Sequence, residues 1–167
     1  MGQIQPNQTK NPRTAAQSEI LSITSKQFLV LARDSGAGHG ASSSLSLYRH
    51  VDIFDISSAT EISKPNADAR GASITTSSTS GVLNSTITPA TVCPFLDINN
   101  NAQLAKFGLH NGGAQDAGLL NEKWESLAIV PVDGDDGKDG WYYLFVASDN
   151  DFITQNGKRC LPLSFQL

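Results

Sequence analysis

The sequence predicts an all-β chain built from antiparallel sheets, and three observations carry that expectation. Charged residues make up only 17% of the 167 residues, against roughly 25% in an ordinary soluble domain. Ser and Thr, 30 residues together, take their place, whereas a helical bundle would fill its exposed faces with Ala, Glu, Lys and Leu. Apolar residues come in short runs of strand length, bounded by Gly- and Asn-rich breaks. Finally, one arrangement of such runs occurs twice along the chain. The length fits a single domain.

Residues 1–13 are polar, carry Pro6 and Pro12, and read as a loose lead-in. Ser18 to Ile23 is a short apolar-rich run, followed by a polar turn at Thr24-Ser25-Lys26. Gln27 to Asp34 follows, and its Phe, Leu and Val content predicts a buried strand. The string SGAGHGASSS makes a loop with three Gly in ten residues. Ser46 to Ile56 reads as one long strand or two short ones. Residues 57–94 form an irregular insertion, low in complexity around Ser77, with a strand somewhere in Thr86 to Phe95. Asn99-Asn100-Asn101 breaks that run, Leu104 to Leu109 suits one helical turn, and HNGGAQDAGLLN is a Gly-rich loop. Strands are then expected at Trp124 to Val132, Trp141 to Ser148 and Cys160 to Leu167.

Two of these groups align. S-E-I-L-S-I, a turn, F-L-V-L-A-R-D and a loop match W-E-S-L-A-I-V, a turn, Y-L-F-V-A-S-D and a loop. Glu19 falls on Glu125 and Asp34 on Asp149 in that alignment. A repeated antiparallel unit of three or four strands is the sequence pattern of β-propeller blades. Two units do not close a ring of about four to eight blades. The expected architecture is therefore a partial β-propeller of about two blades, over residues 14–167, with the insertion at 57–94. At least one outer sheet face should stay apolar and uncovered, since each blade hides a face against the next.

Several strings also carry a resemblance: AQSEILSI, FLVLARDSGAGHG, SLYRHVDIFDIS, LNEKWESLAIVPV and YLFVASDNDFITQNG. Together they resemble the phytase-like domain family, also described as esterase-like activity of phytase, in its secreted fungal branch. The likeness runs from Arg13 to Leu167 and corresponds to the C-terminal part of the family's domain. It implies a β-propeller, an extracellular setting and hydrolysis of a small-molecule ester or phosphate ester. It also implies further blades N-terminal to this part, or self-association in their place. The family pattern has Gly after the Glu of its E-x-L-A element, where this chain has Ser126.

The aligned acids are the first chemical candidates. A strand start and the end of its antiparallel neighbour share one sheet edge, so Glu125 and Asp149 should lie together, as should Glu19 and Asp34. Glu125 and Asp149, with His110, are the candidate catalytic groups for general acid/base work. Glu19, Asp34, Asp149 and Asp151 are candidate oxygen ligands for Ca²⁺. The competing role is architectural, an acid accepting backbone N–H bonds. The turn DGDDGKDG misses the calcium-loop frame, because Gly137 falls one place early and Leu144 stands at the closing Glu position. GAGHG and HNGG match neither the P-loop nor the dinucleotide fingerprint, and read as loops needing positive φ. His39 and His110 are candidate phosphate contacts or acid/base groups, while His50 reads as structural. No G-x-S-x-G elbow occurs. A non-catalytic propeller that binds a ligand through its loops is the alternative function.

A net charge of −4 with scattered basic residues leaves no footprint for nucleic acid. No run of about 18 apolar residues suits a membrane span, and the first fifteen residues hold no apolar signal core. Cys93 and Cys160 make no metal motif and are expected to pair if the chain is secreted.

Overall fold

A computed structural model describes residues 15–63, 74–76, 81–132, 140–149 and 163–166. Four strands, β1 (Ala16–Ser22), β2 (Gln27–Arg33), β3 (Arg49–Asp55) and β4 (Thr91–Asp97), form an antiparallel meander in chain order. Three more, β5 (Lys123–Pro131), β6 (Tyr142–Asp149) and β7 (Leu163–Gln166), form a second antiparallel meander. The β1–β2 turn closes because Thr24 Oγ1 accepts the N–H groups of Lys26 and Gln27 at 3.2 and 3.0 Å. A Thr side chain that satisfies turn amides in this way competes with strand extension.

The chain is mostly β with antiparallel sheets, as expected, and among the described residues the sheets do not close into a ring. Strand β4 corrects the boundary of the irregular insertion, because residues 91–94 belong to the sheet. Its pattern is hard to read because Pro94 interrupts it. Pro94 pairs with Asp52 where the register shifts past Val51, on an edge strand. A residue without an N–H is tolerated at such a place. Strand β3 starts at Arg49 rather than Ser46. The expected helical turn is a short helix α1 (Asn101–Leu104) that tightens into a 3₁₀ turn at Ala105–Phe107. Asn100 caps it by accepting the N–H groups of Ala102 and Gln103, and Gly108 ends it at φ +69°.

One core lies between the sheets. Leu29, Leu31 and Val51 meet Trp124, Leu127, Leu144 and Val146. The connection between β4 and β5 adds Ile98, Leu104 and Leu120. The sheets approach each other where β5 lies on β1 and β2. Leu31, Val51 and Leu144 are fully buried, each worth about 1.5–3 kcal/mol relative to exposure.

The repeat has a structural counterpart, displaced by one residue from the sequence alignment. In β1 the register skips Ser18, between Gln17 and Glu19. In β5 it skips Glu125, between Trp124 and Ser126. The bulges therefore match Ser18 with Glu125, and Arg33 with Asp149, the residues paired with the two strand starts. Extended along the strands, the match sets Ile20 against Leu127, Val30 against Val146 and Leu29 against Phe145.

Matched residues point the same way along the stack. Leu127 and Val146 face the first sheet, while Ile20 and Val30 line the first sheet's far side. Leu29 faces the second sheet, while Phe145 is exposed on that sheet's far side. The sheets thus stack in the same sense, as successive repeats do, and are not mirrored across their interface. Both far sides remain apolar and uncovered: Ile20 is 56% exposed, Val130 47% and Phe145 38%. Cys93 is a free, exposed thiol on β4, against the expected pairing, and Cys160 lies outside the described residues.

Candidate functional site

The start of β1, the end of β2, the start of β3 and the end of β4 share one rim of the first sheet. Ser18 Oγ and Arg33 Nε both donate to the Trp124 carbonyl, at 2.8 and 3.1 Å, which brings the start of β5 to the same rim. Two long connections, 34–48 and 98–122, fold over this rim and carry most of the polar candidates. Here the polar side chains divide into a buried network and a more exposed set.

The buried network centres on Ser46. Its hydroxyl donates to Asp34 Oδ1 at 2.7 Å, and the Leu47 N–H donates to Asp34 Oδ2 at 2.6 Å. The Asn111 side chain accepts from the Ser46 N–H at 3.0 Å and donates to the Ser46 carbonyl at 2.9 Å. A primary amide here imitates a β-bridge between segments 65 residues apart. Asn99 Nδ2 donates to the Ser46 carbonyl and hydroxyl, at 3.2 and 3.0 Å. The side chain of Asn101 is bonded to the Asn111 backbone in both directions.

Arg49 is fully buried beside this network, with Nη2 donating to the Ala37 carbonyl at 2.6 Å. Burial pushes its pKa down to about 10, with Asp34 acting in the opposite direction. It therefore keeps its charge near neutral pH, where that charge stands close to the Asp34 carboxylate.

The GAGHG loop is clamped against residues 115–122. Gly36 N–H donates to Glu122 Oε1 at 2.6 Å, and His39 N–H to the Leu120 carbonyl at 2.7 Å. Gln115 accepts from the Gly40 N–H and donates to the carbonyls of Gly38 and Ala41. A side chain at position 38 would meet Arg49 Nη2 and the Glu122 nitrogen at 2.7 Å. Glycine is needed at this point for close approach as well as for its positive φ.

In the HNGG loop both ring nitrogens of His110 face acceptors. Nδ1 lies 2.7 Å from the Gly112 carbonyl and Nε2 lies 2.9 Å from Asp116 Oδ1. Two acceptors require two donors, so this geometry suits the imidazolium. The pKa of His110 is raised, first by the hydrogen bond to Asp116 and then by that to Gly112. That of Asp116 is lowered, first by His110 and then by the Gly118 N–H.

The aligned acids occupy different surroundings. Glu125 accepts from Arg33 Nη2 at 2.6 Å, and that guanidinium is largely covered. Asp34 holds Ser46 and Leu47, which is the architectural role. Glu19 Oε1 accepts the N–H of Ile20 at 2.8 Å, on β1 opposite Leu31. Asp149 ends β6 opposite Lys123, so it and Glu125 do lie at the same sheet edge. Glu19 sits three residues inside the Asp34 end and faces the sheet interface. Among the described residues no group of three or more His, Cys, Asp and Glu is placed to hold a metal ion. Asp151 and most of the DGDDGKDG turn lie outside the described residues.

His50 stacks on Tyr48 with ring centroids 4.2 Å apart, and its Nε2 is 3.5 Å from Asp97 Oδ1. Burial, followed by Asp52, raises the pKa of Tyr48, whose hydroxyl donates to Asp52 Oδ2 at 3.1 Å. These contacts fit a structural role. Sequence reasoning missed Ser46, Asn99, Asn111 and Gln115. Their signal was the density of Asn around 99–111, which reads as a strand breaker until its partners are known.

The chain is similar to a protein of the fungus Arthroderma benhamiae described as an uncharacterized secreted protein, at 49% identity over 158 residues. The protein is extracellular. The match covers 91% of this chain and 30% of the relative, so the chain spans less than a third of that relative's length. No family model matches the chain, and no solved structure matches it.

Proposed function

We propose that the chain forms two adjacent blades of an extracellular, phytase-like β-propeller, and that these blades supply a rigid, loop-built rim for ligand binding. The observation that carries this reading is the same-sense stacking of the two sheets, with apolar far sides where further blades would lie. Held by Ser46, Asn111, Gln115 and buried Arg49, the rim loops are stiff enough to present backbone groups to a ligand. Asp34 and Glu125 are engaged in fixed bonds that join segments, which supports a framework role for both.

A second reading keeps ester or phosphate-ester hydrolysis at this rim, and Ca²⁺ there would draw on Asp149 and Asp151. It is favoured by the meeting of Arg33, Glu125 and Asp149 at one sheet edge. The test is hydrolysis of p-nitrophenyl acetate and p-nitrophenyl phosphate by the full chain, with and without Ca²⁺, beside Glu125→Gln, Asp149→Asn and His110→Asn. Under the first reading the three variants match the parent within about twofold. Turnover that Glu125→Gln or Asp149→Asn removes from a folded chain would overturn it in favour of the second.

A further inference from the structure

The two uncovered faces are the two halves of a contact the chain already makes once. Inside the molecule, the forward face of the first sheet, through Leu29 and Leu31, meets the rear face of the second, through Leu127, Leu144 and Val146. The matching rear face of the first sheet holds a shallow hollow bounded by Gln17, Ile20, Val30, Ala32, Phe54 and Val92. The matching forward face of the second sheet presents Val130, Tyr143 and Phe145, all exposed. There the Tyr143 and Phe145 rings stand 6.4 Å apart and tilted, as two projecting groups. One face is recessed and the other protrudes.

We infer that a second copy of this chain occupies these faces, head to tail, with Tyr143 and Phe145 of one copy seated in the hollow beside Ile20 and Val30 of the next. The inference rests on the blade reading above and names its occupant. Such a contact is heterologous: the two surfaces differ, and each copy retains one unused face of each kind. Repeated by the same rotation that relates the two sheets within a copy, it extends the stack and closes only as a ring. Isologous pairing would set like faces together, hollow on hollow or ring on ring, without the recess-to-projection fit.

The test uses the full 167-residue chain in sedimentation velocity over a hundredfold concentration range. The expected result is a weight-average mass that rises with concentration. Ile20→Asp spoils the hollow and Phe145→Asp spoils the projecting face, each at an exposed position away from the core. Each variant alone should remain monomeric, with association weakened at least tenfold. An equimolar mixture should recover a 1:1 dimer and nothing larger, since one intact face of each kind remains. A parent that stays monomeric throughout overturns the copy-on-copy contact and leaves the stacking of sheets within one chain standing. A parent that associates while the two variants fail to complement overturns the same-sense stacking, and the blade reading with it. Association that persists in either variant alone also overturns the inference.

Discussion

Replacing Gly38 with Ala should destabilise the chain well beyond the same change at Gly36, five residues nearer no other element of the core. Both glycines have positive φ, +133° at Gly38 and +78° at Gly36. A Cβ at position 36 meets nothing within 4 Å, so that substitution carries backbone strain alone, about 1–2 kcal/mol. At position 38 the Cβ would fall 2.7 Å from the Glu122 nitrogen and 2.8 Å from the Asn121 carbonyl carbon. Two of its three nearest neighbours are thus main-chain atoms, held by the His39 and Gly36 bonds to 120–122. Relief requires the GAGHG loop to move off that segment, at an overpacking cost of about 1–3 kcal/mol on top of strain of about 1–3 kcal/mol. The sum, about 2–6 kcal/mol, is a large part of the 5–15 kcal/mol of an ordinary domain. Urea unfolding followed by Trp fluorescence reads the difference. With a slope of about 2 kcal/mol per M, Gly38→Ala should fall below Gly36→Ala by roughly 0.5–2 M at the midpoint. Equal midpoints for the two variants would refute the close approach of the loops.

Asn111→Ala should cost about 2–4 kcal/mol. It removes one net hydrogen bond and leaves the buried Ser46 N–H without its acceptor, while the Ser46 carbonyl retains Asn99; thermal unfolding with a loss below about 0.5 kcal/mol would contradict the bridging role. The His110–Asp116 clamp should depend on pH in two directions. His110 has a raised pKa, so its contribution is full below the ordinary imidazole value of 6.5 and is lost as pH rises through the raised one. Asp116 has a lowered pKa, so its contribution is full above the ordinary 3.8 and is lost as pH falls through the lowered one. Amide exchange in 108–120 should therefore be slowest between those two values, once corrected for intrinsic rates, and His110→Asn should flatten the profile. A wild-type profile that is already flat would refute the clamp.

The order of the strands was legible in the chain because it is written locally. The Phe28–Arg33 and Trp141–Ser148 runs have strand length, and short turns between runs oblige neighbours to pair antiparallel. The repeated unit was legible for the same reason, as similar local patterns fold into similar meanders. Its register was not, since a bulge is a two-strand property: only the pairing of β1 with β2, and of β5 with β6, reveals that Ser18 and Glu125 are the skipped residues. That single residue separates the aligned acids, and it sends Glu125 to Arg33 instead of placing it as the equivalent of Glu19. The rim was hidden for a deeper reason. Asp34, Ser46, Asn99 and Asn111 are ordinary loop residues one by one, and their meaning comes from hydrogen bonds spanning up to 65 positions. Sequence alone determined which segments pair with their neighbours, through alternation and turns. Only the tertiary structure decided which carboxylates are framework and which face of each sheet is covered, because both depend on groups that meet only when the sheets stack.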